Sequence, residues 1–207
     1  MIKILKNKIR AFLRKLKLSY YKHKIQKRGD RTIICHNCLG GVILHNFNMR
    51  FCSPFVNLMI PTSHYIEILN CINDIKTWDL CEITSIESTY PIGLLNGKWE
   101  IHFMHYSSFS IAAEKWRERL ERMEMHNMYF ILVETHSCTY NDLINFDALP
   151  YKNKIIVAHK PYPEIKCVNP IKGYDGINLK GEILWPSNRW GGCFYDQVNW
   201  LSFLNLI

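Results

Sequence analysis

Cys35-His36-Asn37-Cys38 follows directly on the β-branched run Thr32-Ile33-Ile34 and leads into Gly40-Gly41. An apolar strand that breaks into polar side chains and closes on glycines is how an α/β protein hands a strand over to a ligand-binding turn. A cysteine there becomes a nucleophile when a nearby histidine favours its thiolate, so Cys38 is the candidate catalytic residue, beside His36. Glycines let backbone N–H groups approach an oxyanion or phosphate, which is the task expected of Gly40 and Gly41, with Asn37 as a polar neighbour. His105, in Phe103-Met104-His105-Tyr106, is the second candidate, as general base or phosphate ligand. Arg119 follows Trp116 by one helical turn and has the donors to clamp a carboxylate or phosphate.

Each of these residues also has a plainer reading. Cys38 reads equally as a small buried hydrophobe, with the glycines serving packing. His105 reads as an ordinary polar strand end, Trp116 as core and Arg119 as a solvated cation on a charge-laced helix. Cys35-x-x-Cys38 has the spacing of half a zinc site, but no second pair follows at ligand spacing, and no metal is expected. A redox pair needs a helix starting at the second cysteine, where Gly40-Gly41 stands against it. GxGxxG, GxxxxGK[ST], GxSxG and HExxH are all missing from the chain. Dinucleotide, P-loop and serine-hydrolase chemistry therefore have no support.

The elements that would hold these residues follow from periodicity. Arg31–Cys35 is an expected strand, and residues 41–47 a helical turn or short helix. Ser53-Pro54 reads as a helix start, and Ser63 as the cap of a helix with Tyr65, Ile66, Ile68, Leu69, Ile72 and Ile75 inward. Residues 83–88 read as a strand. Asn96-Gly97 between apolar runs predicts a type I′ hairpin. Ser110 is the expected cap of a helix from Ile111 to about Met125. Met128–Val133, a helix from Thr139 or Asn141 to Leu149, and Lys154–Ala158 form a βαβ unit with parallel strands. Tyr195–Leu204 reads as a last helix. Parallel strands would bring Glu134, His136, Cys138, His159 and Lys160 to the same rim as Cys38. The expected architecture is one three-layer α/β/α domain over residues 31–207 with a mixed, partly parallel sheet.

A basic arm, residues 1–28, precedes it. The net charge of +8 is concentrated there, because the first 28 residues hold 11 of the 26 Lys and Arg and no acid. What remains is slightly acidic, so the sequence pI of about 9.0 says little about the globule. Ile2, Leu5, Ile9, Phe12 and Leu16 fall on one helical stripe with Leu13 beside it, and Lys3, Lys6, Lys8, Arg10, Arg14, Lys15 and Lys17 fill the rest. An anionic membrane surface, a helix packed on the globule, or nucleic acid would each fit. The lack of any acid favours the membrane surface, through residues 2–28, and nucleic acid is not the expected partner. No apolar run approaches the ~20 residues of a membrane span. No secretion signal is recognisable, and the eight irregularly spaced cysteines read as free thiols of a reducing compartment.

Asn37-Cys38-Leu39-Gly40-Gly41, Ser53-Pro54 with Asn57-Leu58, Tyr90-Pro91-Ile92-Gly93, Phe103-Met104-His105-Tyr106 with Phe109, and Trp116-Arg117-Glu118-Arg119 together resemble the bacterial DUF1919 family. The likeness runs from about Arg31 to Ala158. Proteins of that family are called exopolysaccharide or lipooligosaccharide biosynthesis proteins and sit among capsule genes. The resemblance implies an α/β/α domain and a site at Asn37, Cys38, Gly40, Gly41, His105, Tyr106, Trp116 and Arg119. It names no cofactor. The expectation is a group transferase acting on a surface glycan or its nucleotide- or lipid-linked precursor, cytoplasmic and peripheral at the inner membrane face. The competing expectation is a non-catalytic glycan-binding or assembly module using aromatics such as Trp99, Trp116, Trp185, Trp190 and Tyr106.

Overall fold

A computed structural model describes residues 2–27, 29–83, 88–175, 182–188 and 190–207. A four-stranded parallel sheet runs through the middle in the order β1 (Thr32–Cys35), β5 (Met128–Val133), β6 (Lys154–Ala158), β7 (Val168–Pro170). A separate antiparallel sheet is formed by β2 (Leu80–Ile83), β3 (Ile92–Leu95) and β4 (Trp99–His102). The fold is α/β, and its mixed strand directions are divided between these two sheets.

Alternation along the parallel strands produces two cores. Ile34, Phe130, Leu132, Ile156 and Ala158 face one side, toward α3 (Thr62–Asn70), α4 (Phe109–Glu121) and α5 (Tyr140–Ala148). Ile33, Cys35, Ile131, Val133 and Val157 face the other, toward α2 (Leu39–Asn46) and the C-terminal α6 (Trp200–Phe203). Period-two side chains buried on both faces are why these strands read as continuous apolar runs. Tyr65 ties the layers together, its hydroxyl donating to Ile34 O (2.8 Å) and Ile131 O (3.1 Å).

The βαβ unit forms as expected, with Phe130 opposite Lys154 in a parallel register. Thr139 caps α5 in a reciprocal box with Asp142. The Asn96-Gly97 turn has positive φ at both residues, 52° and 65°, as type I′ demands. Four expectations are corrected. Pro61, not Ser63, precedes the first turn of α3, and Ile72 and Ile75 lie in a separate 3₁₀ helix (Ile72–Thr77) rather than in α3. Ser108, not Ser110, caps α4, and its hydroxyl accepts from Ile111 N. The Tyr195–Leu204 helix is a 3₁₀ turn (Phe194–Gln197) followed by the single turn of α6. No helix starts at Ser53-Pro54. There the Ser53 hydroxyl accepts from Phe55 N, and residues 55–61 run irregularly. The strand expected over residues 83–88 lies mostly outside the described residues.

The irregular segment joins the two sheets. Met59 pairs with His102 at the free edge of β4 (N–O distances of 2.9 and 2.8 Å), and Ile60 N donates to His36 O just past β1 (2.8 Å). It therefore fixes the end of β1 against the end of β4, which determines where Cys38 and His105 lie.

Candidate functional site

Cys38 is the first residue after the strand-end loop and the N-cap of α2. His105 lies in the turn closed by Tyr106 N donating to Phe103 O (3.1 Å), just past β4. Their side chains meet: Cys38 Sγ lies 3.2 Å from His105 Nε2. Both line a cavity of about 410 Å³ together with Asn37, Leu58, Met59, Ile60, Met104, His136, Ser137, Ile183 and Trp185. Parallel β1 and β5 explain why residues 36–38 and 135–137 share this rim, as their C-terminal ends lie side by side.

Burial pushes the Cys38 thiol above its ordinary value. The resting sulfur is therefore protonated, despite the favourable end of the α2 dipole. In the tautomer that carries its proton on Nδ1, His105 Nε2 accepts that thiol proton. The pair can then form a thiolate and an imidazolium when an electrophile enters. This is a base-activated nucleophile rather than a standing ion pair.

His36 cannot supply that activation. It is buried, its Nε2 is 3.1 Å from both Val133 N and Val133 O, and desolvation lowers its pKa to about 4, so it stays neutral. Its job is to pin the end of β1 to the end of β5. Between about pH 6.5 and about 4 the unfolded chain binds a proton that the folded site refuses. Stability is therefore expected to fall as pH drops through that window, by about 1.4 kcal/mol per unit from this group. Urea midpoints measured from pH 7 to 4.5 should show that slope, and His36→Gln should flatten it.

Asn37 is held by its oxygen. Oδ1 accepts from Leu39 N (3.0 Å) and from the Cys35 thiol (3.3 Å). Among the described residues its Nδ2 has only a 3.5 Å contact with His36 Nε2, which leaves amide hydrogens for a ligand in the cavity. Cys35 itself is fully buried and its thiol is pushed up to about 12, chiefly by desolvation, so it is inert.

The remaining expected site residues do not line this cavity. Gly40 and Gly41 are buried in the first turn of α2 rather than in an open loop. A Cβ at Gly40 would stand 3.0 Å from Cys35 Cβ, and one at Gly41 would stand 3.0 Å from Val56 Cγ1. The glycines let α2 press onto β1 and onto the joining segment. The Leu39 amide is taken by Asn37, and the Gly40 amide serves the Cys35 sulfur. Arg119 is buried rather than solvated, its Nη1 donating to Tyr106 Oη (2.6 Å) and to Val56 O (3.2 Å). Trp116 is core, its ring near Phe55 (5.5 Å between centroids) and Phe103 (6.3 Å). Arg119, Tyr106 and Trp116 thus brace the joining segment against the turn that carries His105.

Glu134 organises the rest of the rim from behind. Its carboxylate accepts from His159 N (3.0 Å), lies 2.7 Å from His159 Nδ1 and accepts from Tyr162 Oη (2.5 Å). Cys138 beside it has its thiol pushed up to about 12 by burial and by Asp142 and Glu134. All eight cysteines are free. Among the described residues no three His, Cys, Asp or Glu side chains are grouped to hold a metal ion.

Sequence reasoning missed the apolar wall supplied by Leu58, Met59 and Ile60. The one cue in the sequence was the short apolar run Leu58-Met59-Ile60 between the turn formers Asn57 and Pro61, and Ser53-Pro54, read as a helix start, hid it.

A likeness covering nearly the whole chain accompanies this geometry. Residues 8–205 match the domain of unknown function DUF1919. The chain belongs to that family. It is also similar to an uncharacterized protein of Haemophilus influenzae, 36% identical over 201 residues that cover 96% of this chain and 97% of that protein. The match begins within α1 (Ile2–Lys24) and so includes most of the basic arm.

Proposed function

We propose that this DUF1919 protein is a cysteine-dependent group transferase that moves an acyl group onto a surface glycan or its activated precursor at the inner face of the membrane. The observation that carries the chemistry is the 3.2 Å approach of Cys38 Sγ to His105 Nε2 at the wall of a largely apolar cavity. In the first half-reaction His105 takes the thiol proton and the sulfur attacks the acyl carbonyl. The donor leaves with the proton that His105 returns, and a thioester remains on Cys38. In the second, His105 takes a proton from the acceptor hydroxyl, whose oxygen attacks the thioester carbonyl, and the thiol is regenerated. Asn37 Nδ2 is the side-chain donor for the oxyanion formed in both steps. Trp185 in the cavity wall offers a flat apolar face of the kind against which a sugar ring stacks. The glycan acceptor is carried by the family resemblance, and the thiol chemistry by the geometry.

The test uses p-nitrophenyl acetate and acetyl-coenzyme A as probes. A nitrophenolate burst equal to the enzyme concentration is expected, with a mass gain of one acetyl group located on Cys38 by peptide mapping. No burst and no adduct on Cys38 with either probe would leave the glycan-binding module as the better reading.

A further inference from the structure

In an ordinary surface helix the apolar stripe packs on the domain and the charges face water. α1 is mounted the other way round. Its side toward the domain is mixed, with Leu13, Leu18 and Tyr21 half-buried, and is fixed by cations: Arg14 pairs with Asp196 and Tyr195 Oη, and Lys17 Nζ reaches Asp196 (3.1 Å). Tyr21 adds an edge contact with Phe47, and Gly191 lies close to the Arg10 carbonyl, where a Cβ would stand 2.5 Å from the oxygen. Just beyond the helix, Gln26 N and Lys27 N donate to Leu206 O.

The apolar stripe is left in solvent. Leu5 is 60% exposed, Ile9 49%, Phe12 60% and Leu16 53%. At 100° per residue, exposed Lys8 and Lys15 fall on one flank of that stripe and exposed Lys6 on the other. α1 carries no Asp or Glu.

We infer that this face of α1 seats the protein on an anionic lipid bilayer, with Leu5, Ile9, Phe12 and Leu16 among the acyl chains and the lysines at headgroup level. Charge complementarity selects this occupant. Two copies meeting stripe to stripe would bring like-charged flanks together with no acid between them. Nucleic acid would use the cations and leave four large hydrophobes unused. No helix among the described residues is long and apolar enough to cross a membrane, so the attachment lies in the plane of the surface. The C-terminal segment that supplies Ile183, Leu184 and Trp185 to the cavity wall also grips α1 through Gly191, Tyr195 and Asp196, which links a lipid-seated helix to the cavity rim.

The test is co-sedimentation of the full chain with vesicles. Most of the protein should pellet with vesicles of phosphatidylglycerol and phosphatidylcholine, and little with phosphatidylcholine alone or in high salt. Phe12→Glu with Leu16→Glu should weaken binding at least tenfold without moving the melting temperature, because both side chains are solvent-exposed in the free protein. A chain that stays in the supernatant with the anionic vesicles overturns the inference. So does a dimer in solution that Phe12→Glu dissolves, or tight RNA binding in place of lipid binding. Turnover of p-nitrophenyl acetate, a soluble probe, should be the same in wild type and the double variant, so vesicle binding and thiol chemistry stand or fall separately.

Discussion

Cys38→Ser is expected to lower ester turnover by at least about 10³-fold while leaving the fold intact. A hydroxyl next to a histidine is a far weaker nucleophile than a thiol. Stability should hold because the side chain is only partly buried and serine is close to cysteine in size. His105→Ala should remove the proton acceptor and cost about 10²- to 10⁴-fold in the same assay. The pH dependence distinguishes a base-activated thiol from a standing thiolate. Because burial holds the Cys38 thiol up, alkylation by iodoacetamide should keep rising through the alkaline range. A plateau already reached near pH 6 would mean a preformed ion pair and would refute the resting state drawn above. A Cys38→Ser enzyme with ordinary turnover would refute the nucleophile itself.

The parts of this fold legible in the sequence were those decided locally. The βαβ unit announced itself through two apolar runs and a capped helix, and the hairpin through Asn96-Gly97. What escaped was decided by partners far along the chain. Residues 55–61 have no period of their own. They take their path because Met59 completes the edge of β4 and Ile60 bonds past β1. The same holds for the site. A cysteine at a strand end and a histidine 67 positions later are each readable as chemistry, but their 3.2 Å approach depends on that joining segment. The glycine pair was misread because a glycine that permits a ligand and one that permits a helix look alike in sequence. Only Cys35 and Val56 crowding the missing Cβ atoms separates them. The stripe on α1 was visible, but which face the domain would take was settled by Asp196 at the other end of the chain.

Arg119→Met is expected to lower stability by about 1–2 kcal/mol and to reduce turnover through kcat rather than KM. The guanidinium donates to Val56 O and Tyr106 Oη, and such charged hydrogen bonds contribute roughly 1.5–3 kcal/mol each. Methionine retains most of the packing volume and removes a buried cation whose desolvation opposed folding, so the net loss is smaller than that sum. In a chain of 207 residues a loss of this size shifts the melting temperature by about 2–8 °C. Tyr106 Oη keeps Val56 O as a partner at 3.3 Å, so the brace loosens rather than collapses. A looser brace lets the His105 turn drift from the joining segment, and with it His105 from Cys38. Drift of about 1 Å can cost 10²-fold when proton transfer needs a short contact. An anion clamp in the cavity would behave in the opposite way. Its loss would raise KM steeply, leave kcat at saturation nearly unchanged and spare the melting temperature. Arg119→Lys separates the two further, because a clamp tolerates a second cation in part, whereas one ammonium cannot span both the Val56 carbonyl and the Tyr106 hydroxyl in the guanidinium's place. A steep rise in KM with normal stability would return Arg119 to the substrate and require a second route from the cavity to α4.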